Sequence, residues 1–191
     1  GHLLHQLTEQ ALPLLNVDHV LVRLPGNDGV LQTVALAGKG AERYRGRLLQ
    51  SGAGRSSWVM ENRRPLAIKD VSQDKVFGLG HLMREMGVKG FLCVPLISRN
   101  QKSIGVLQAT SLKEKEFTQE EIALAQQLAA GAAVAIENAR LFQELQEKSR
   151  ELEEAYKTKS AFLNTMAHEL RTPLNVLIAT MQLFRDGFYG A

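Results

Sequence analysis

The residues with the clearest chemical meaning lie near the C-terminal end, in Phe162-Leu163-Asn164-Thr165-Met166-Ala167-His168-Glu169-Leu170-Arg171-Thr172-Pro173-Leu174-Asn175. In a helix advancing about 100° per residue, His168 points roughly 165° away from the mean direction of Leu163, Met166 and Leu170. Asn164, Thr172 and Asn175 fall within about 40° of the histidine, so a polar stripe of small hydrogen-bonding side chains surrounds it. Solvated helix stripes are ordinarily rich in Lys and Glu; this one presents a nucleophile. An imidazole with an ordinary pKa near 6.5 is largely neutral at about pH 7, so a ring nitrogen can attack phosphorus directly. Glu169, on the flank of that face, can accept a hydrogen bond from the other ring nitrogen and favour the reactive tautomer. Taken alone, an exposed histidine is usually only that.

The helix that positions His168 begins far upstream. Thr118-Gln119-Glu120-Glu121 is a capping box, and Phe117 and Ile122 occupy the positions of a hydrophobic staple. Apart from Gly131, no helix breaker follows until Pro173, which removes a backbone donor and can bend the helix. A helix running to about Asp186 has a length on the order of 100 Å and needs a partner helix to cover it. Asn138, Phe142, Leu145, Ser149, Leu152, Tyr156, Lys159, Leu163, Met166 and Leu170 alternate by four and three, the spacing of a left-handed coiled coil. A stutter then leads into Leu174, Leu177, Met181 and Phe184. Glu144/Lys148 and Glu153/Lys157 are expected to form four-apart ion pairs on the flanks.

Upstream of Thr118 the pattern is mixed. Leu3–Leu15 has helical spacing, and Val17–Leu24 and Val30–Ala37 alternate about the turn Pro25-Gly26-Asn27-Asp28-Gly29. A short helix at Ser56–Asn62, a third strand at Leu66–Val71 and a helix near Gly80–Met86 precede two strong strands, Phe91–Ile97 and Ile104–Thr110. Without regular βαβ alternation, this order predicts an α+β fold with a mostly antiparallel sheet flanked by helices. Gly105 within Ile104-Gly105-Val106 suggests close backbone approach in a central strand.

Composition narrows the classes. Of 191 residues, 45% are hydrophobic and 23% charged, as in a folded globular chain. Residues 1–140 hold 17 Lys+Arg against 13 Asp+Glu, and residues 141–191 hold 6 against 7. Neither part has the basic stripe that nucleic-acid binding requires. The sole cysteine, Cys93, excludes an internal disulfide and a multi-cysteine metal site. The single cysteine also fits a reducing compartment, so a cytoplasmic location is expected, and no apolar run reaches the roughly 18–20 residues of a membrane span. The abrupt ends at Gly1 and Ala191 suggest a piece of a longer protein.

His168-Glu169-Leu170-Arg171-Thr172-Pro173-Leu174-Asn175 closely resembles the H-box of the dimerisation and phosphotransfer domain of sensor histidine kinases. The resemblance implies that His168 is autophosphorylated, that Glu169 is its acid/base partner, and that Thr172 orients the water that dephosphorylates a response regulator. Asn164, Arg171, Pro173 and Asn175 would support the site. Phe91-Leu92-Cys93-Val94-Pro95-Leu96-Ile97, Ile104-Gly105-Val106-Leu107 and Ala133-Val134-Ala135-Ile136-Glu137-Asn138-Ala139-Arg140-Leu141 resemble the recurring segments of a GAF domain. The implied organisation is a GAF sensor at 1–141, a coiled-coil signalling linker at 142–159 and the first phosphotransfer helix at 160–191. The implied protein is a two-component histidine kinase, homodimeric through its long helix, with a response regulator as partner. ATP and Mg²⁺ would enter through an ATP-binding domain outside this chain, leaving the chain alone inactive. The competing expectation is a non-catalytic binding module, in which the GAF domain holds a small molecule and the helix only dimerises.

The residues do not name a GAF ligand. Cys93 falls in an expected strand, unlike the loop or helix cysteines that hold a bilin in phytochrome-like relatives. Phe117 and Glu121 echo part of a cyclic-nucleotide pattern, but its Asn-Lys element is absent and the helix cap explains both. His81 as a haem ligand, Trp58 and Phe77 as pocket walls, and Gly38-Lys39-Gly40 or Gly78-Leu79-Gly80 as phosphate loops are each better read as ordinary structural residues. His2, His5 and His19 have no metal-ligand spacing, so no metal is expected.

Overall fold

The structure, a computed structural model, describes residues 2–26, 30–44, 54–77, 81–185 and 187, without the side chains of His81 and Leu82. Five antiparallel strands form one sheet in the order β2-β1-β5-β4-β3. They are β1 (His19–Pro25), β2 (Leu31–Ala37), β3 (Leu66–Ile68), β4 (Gly90–Ile97) and β5 (Ser103–Ser111). The helices are α1 (His2–Leu15), α2 (Arg55–Asn62), α3 (His81–Glu85) and α4 (Gln119–Arg185), with a 3-10 turn at Ala41–Tyr44. The chain divides into two compact units, Gly1–Ala139 and Arg140–Ala191.

In the first unit both faces of the sheet are covered, which is why β1, β4 and β5 are apolar on both sides rather than alternating with solvent. One face carries Val20, Val22, Leu92, Val94, Leu96, Leu107 and Ala109, packed with Ala11 and Leu15 of α1 and Ala125, Ala129, Ala132 and Ala133 of α4. The small residues of α4 let its backbone approach the sheet closely. The opposite face carries Phe91, Cys93 and Val106, covered by Val59 of α2 and by Val71 and Val88. Leu21 and Leu36 on that side meet Ala41 and Tyr44 of the 3-10 turn.

Local signals account for most boundaries. The first hairpin is closed by Gly26 N–H donating to the Val30 carbonyl at 2.8 Å, and its tip at 27–29 lies outside the described residues. The third strand is shorter than its apolar run, ending at Ile68 instead of Val71. Beyond it the regular ladder gives way to a local turn, in which the Asp70 carboxylate accepts from Ser72 N–H at 2.9 Å and the Ser72 hydroxyl at 2.6 Å, while Val71 N–H still donates to the Lys89 carbonyl at 2.8 Å. Gly105 is required by sterics, since a Cβ there would lie 2.4 Å from the Arg23 carbonyl oxygen. The start of α4 is the expected capping box. Glu121 N–H donates to Thr118 Oγ1 at 3.2 Å, and Thr118 N–H donates to the Glu121 carboxylate at 3.0 Å.

In the second unit α4 runs on to Arg185 with Pro173 inside it. The expected flank pairs are replaced. Glu144 pairs with Arg140 at 3.0 Å and Lys148 with Glu151 at 2.7 Å, and no Glu153–Lys157 pair forms among the described residues. Arg150 reaches both Glu147 at 2.7 Å and Glu154 at 2.8 Å. With carboxylates on both sides of each cation, three- and four-apart partners compete on nearly equal terms.

Candidate functional site

His168, Glu169 and the polar residues around them sit on the C-terminal part of α4, all exposed. Helical spacing places Asn164, His168, Thr172 and Asn175 on one stripe, with Arg171 at its edge and Glu169 about 100° round from the histidine. The Thr172 hydroxyl donates back to the His168 carbonyl oxygen at 3.3 Å. Thr158, Thr165 and Thr180 make the same bond to Glu154, Ala161 and Val176. Such back-bonding fixes the threonine rotamer and leaves the oxygen's lone pairs available as acceptors. Pro173 has no N–H to give to the carbonyl of Glu169, so that carbonyl has no partner from the normal helical ladder. The stripe therefore offers a solvent-accessible imidazole, with a carboxylate next to it in sequence and one ladder hydrogen bond missing at Glu169.

The apolar seam, on the other side of the helix, is also exposed in the single chain, from Met166 at 37% to Leu152 at 72%. Phe142, Leu145, Tyr156, Leu163 and Leu170 belong to the same row. An apolar row of this length beside a polar stripe gives α4 two chemically distinct faces.

The remaining candidates have structural surroundings. Cys93 is fully buried on β4, and burial pushes its thiol up to about 12, so no reactive thiolate exists near neutral pH. Trp58 and Phe77 stack edge to face with centroids 6.3 Å apart. His19 is buried between the Thr110 hydroxyl at 3.2 Å and the Lys39 carbonyl at 3.0 Å. Because a carbonyl can only accept, His19 Nε2 donates to Lys39, while Nδ1 and the Thr110 hydroxyl share the second hydrogen bond. Glu121, besides capping α4, takes Lys115 Nζ at 2.7 Å. Among the described residues no group of three potential metal ligands forms, and the side chain of His81 and the segment Gly78-Leu79-Gly80 lie outside them. No described helix is long and apolar enough to cross a membrane.

Two buried polar groupings do not stand out in the sequence. Arg55 and Asp74 form an ion pair at 2.6 Å, with side chains 5% and 8% exposed. Arg23, Gln108 and Tyr44 meet on the sheet face opposite α1 and α4. The available signal was a polar residue on the same face of each of two otherwise apolar strands, Arg23 in β1 and Gln108 in β5.

Comparison with known proteins fits this geometry. The GAF domain model matches residues 1–136. The chain belongs to the GAF domain family. A second model, the His Kinase A (phospho-acceptor) domain, matches residues 158–190 and so contains His168. A GAF domain followed by a phospho-acceptor segment is the order found in a sensor histidine kinase. Hybrid signal transduction histidine kinase G of Dictyostelium discoideum is 28% identical over 138 residues, 68% of this chain but 4% of that protein. The chain thus spans a small part of the curated relative it matches. Among solved structures, the blue-light absorbing PixJ GAF domain of Thermosynechococcus elongatus superposes with a TM-score of 0.62 at 22% identity. That match covers 75% of this chain and 88% of the other. The GAF domain of a phosphoenolpyruvate-protein phosphotransferase from Coxiella burnetii gives 0.61 at 24% identity, covering 71% and 80%. A domain of a two-component sensor histidine kinase protein from Sinorhizobium meliloti 1021 gives 0.61 at 17%, covering 76% and 96%. At these identities the structural matches establish the fold.

Proposed function

We propose that this GAF and phospho-acceptor chain works within a cytoplasmic two-component sensor histidine kinase in which His168 receives the γ-phosphoryl group of ATP. The observation that carries the reading is an exposed histidine on the polar stripe of a helix whose sequence matches a phospho-acceptor domain. A ring nitrogen of His168 forms the new bond to phosphorus while the bond to the β-phosphate bridging oxygen breaks and ADP leaves. Glu169 accepts the proton from the other ring nitrogen. The ATP-binding domain lies outside this chain and supplies the in-line positioning and Mg²⁺ on which phosphoryl transfer depends. The exposed apolar row of α4 pairs with a second copy, as the heptad spacing requires. The phosphoryl group then passes to an aspartate of a response regulator. Thr172, anchored to the His168 carbonyl, orients the water that later hydrolyses that aspartyl phosphate.

The test is phosphate incorporation from labelled ATP, using a chain extended through the second helix of the phosphotransfer hairpin and the ATP-binding domain supplied separately. The intact sequence is expected to take up acid-labile phosphate and His168→Gln none, while this chain alone incorporates none. Failure of incorporation with both parts folded would favour a GAF module whose helix only dimerises. Thr172→Ala is expected to retain phosphorylation of His168 and lose most of the regulator phosphatase activity.

A further inference from the structure

The cations along α4 fall into two groups. Arg140, Lys148 and Arg150 each have a carboxylate three or four residues away and pair with it. Lys159 has none, because no acidic residue lies between Glu154 and Glu169. Among the described residues it makes no ion pair. It also stands within the apolar row, between Tyr156 and Leu163, both exposed in the single chain. An ammonium without a counter-charge is unfavourable once such a seam is covered.

Charge as well as spacing indicates what covers the row. Lys148 precedes the seam residue Ser149 and Glu153 follows the seam residue Leu152, so the two flank the seam on opposite sides. In a parallel pair in register, these flanks meet between copies and set Lys148 beside Glu153 of the second copy. A slip of one heptad offers Lys148 only Gln146 or Ser160, neither of them charged. The Lys148–Glu151 contact at 2.7 Å joins side chains 78% and 51% exposed, so exchanging it for the pair between copies costs little. In that register each seam residue faces its own counterpart, and Lys159 meets Lys159.

We propose that two copies of this chain pair parallel and in register, and that the Lys159 layer is a built-in parting point of the coil between the GAF domain and His168. The proposal rests on the pairing of α4 with a second copy in the functional reading above. The layer lies nine residues before His168, about 14 Å along the helix and about 180° round from it. It therefore acts on the pairing of the helices and not on the phosphoacceptor stripe. Two like charges facing across a seam repel, while the apolar layers at Tyr156 and Leu163 confine the opening to this point.

The test mixes the full chain with its Lys159→Glu variant and counts the dimers by native mass spectrometry. Random pairing gives about half heterodimers, and the mixed pair is expected well above that share because only there does lysine meet glutamate. In an antiparallel pair residue 159 faces a different layer, and the mixture stays random. Sedimentation of Lys159→Leu is expected to show a dimer about tenfold tighter than the original, since leucine is at home in this layer. Hydrogen exchange of the amides of 155–163 should slow several-fold in that variant, with the sheet amides unchanged. Random mixing in a chain that does dimerise would overturn this proposal and leave the pairing of α4 standing. Unchanged affinity and exchange in Lys159→Leu would do the same. A chain monomeric at every concentration would overturn the pairing itself, and this proposal with it.

Discussion

Asp74 shows how one residue links the chain's local turns to its core. Burial acts to raise its carboxyl, but the N–H of Val76, the Arg55 guanidinium and the N–H of Phe77 outweigh it and hold it below the usual value of 3.8. The folded carboxylate therefore binds a proton less readily than the unfolded one. That stability is present in full above the unfolded value and is lost as pH falls through the lower folded value. Asp74→Asn should remove much of this acid-side component and also weaken the ion pair with Arg55, costing about 3 kcal/mol near neutrality. Urea unfolding from about pH 6 to pH 3 checks both parts, with the gap between the two proteins expected to narrow toward pH 3. Equal urea midpoints at neutral pH would show that the pair contributes nothing. This pairing was not legible in the sequence. Arg55 and Asp74 are 19 residues apart on a helix and a loop, and no periodic pattern marks a contact between them. The polar stripe of Asn164, His168, Thr172 and Asn175 was legible because its members lie within about two turns of His168 on one helix, where spacing alone fixes direction.

Elements were read in proportion to how local their causes are. The start of α4 follows from four residues, and Thr118 and Glu121 make both bonds of the box. Past the end of β3 an aspartate side chain forms a local turn where the regular ladder gives way, so the apolar run Leu66–Val71 overstated the strand. The alanine-rich stretch of α4 has a sharper lesson. Ala125, Ala129, Ala132 and Ala133 face the sheet and are buried, whereas a Cβ on Gly131 would meet nothing within 4 Å. Within the single chain, Gly131 therefore serves no packing need and weakens the helix. Gly131→Ala should stabilise the GAF domain by about 0.5–1 kcal/mol, read as a higher urea midpoint. A lower midpoint would instead show that Gly131 sits against a second copy, with its bare backbone forming part of the dimer contact.

At the scale of the whole molecule, the two compact units share a single uninterrupted helix, Gln119–Arg185. That continuity was foreseeable from the absence of breakers before Pro173, and it turns a question about signalling into one about helix phase. The GAF core fixes the azimuth of α4 through Ala125, Ala129 and Ala132. The phosphoacceptor stripe lies some forty residues further along the same helix, and helices advance about 100° and 1.5 Å per residue. Seam residues Asn138, Ser149 and Lys159 are polar, which weakens the hold of a paired coil on its register. One residue inserted after Ser149 would rotate everything downstream by about 100° and break the seam, whereas seven would return it to within about 20°. In the full-length protein, the single insertion should alter both basal phosphorylation of His168 and its response to the signal. The seven-residue insertion should restore most of each. Labelled-phosphate uptake with and without stimulus measures the pair. Identical behaviour of the one-residue insertion and the original protein would mean that the helix tethers the two units without transmitting rotation between them.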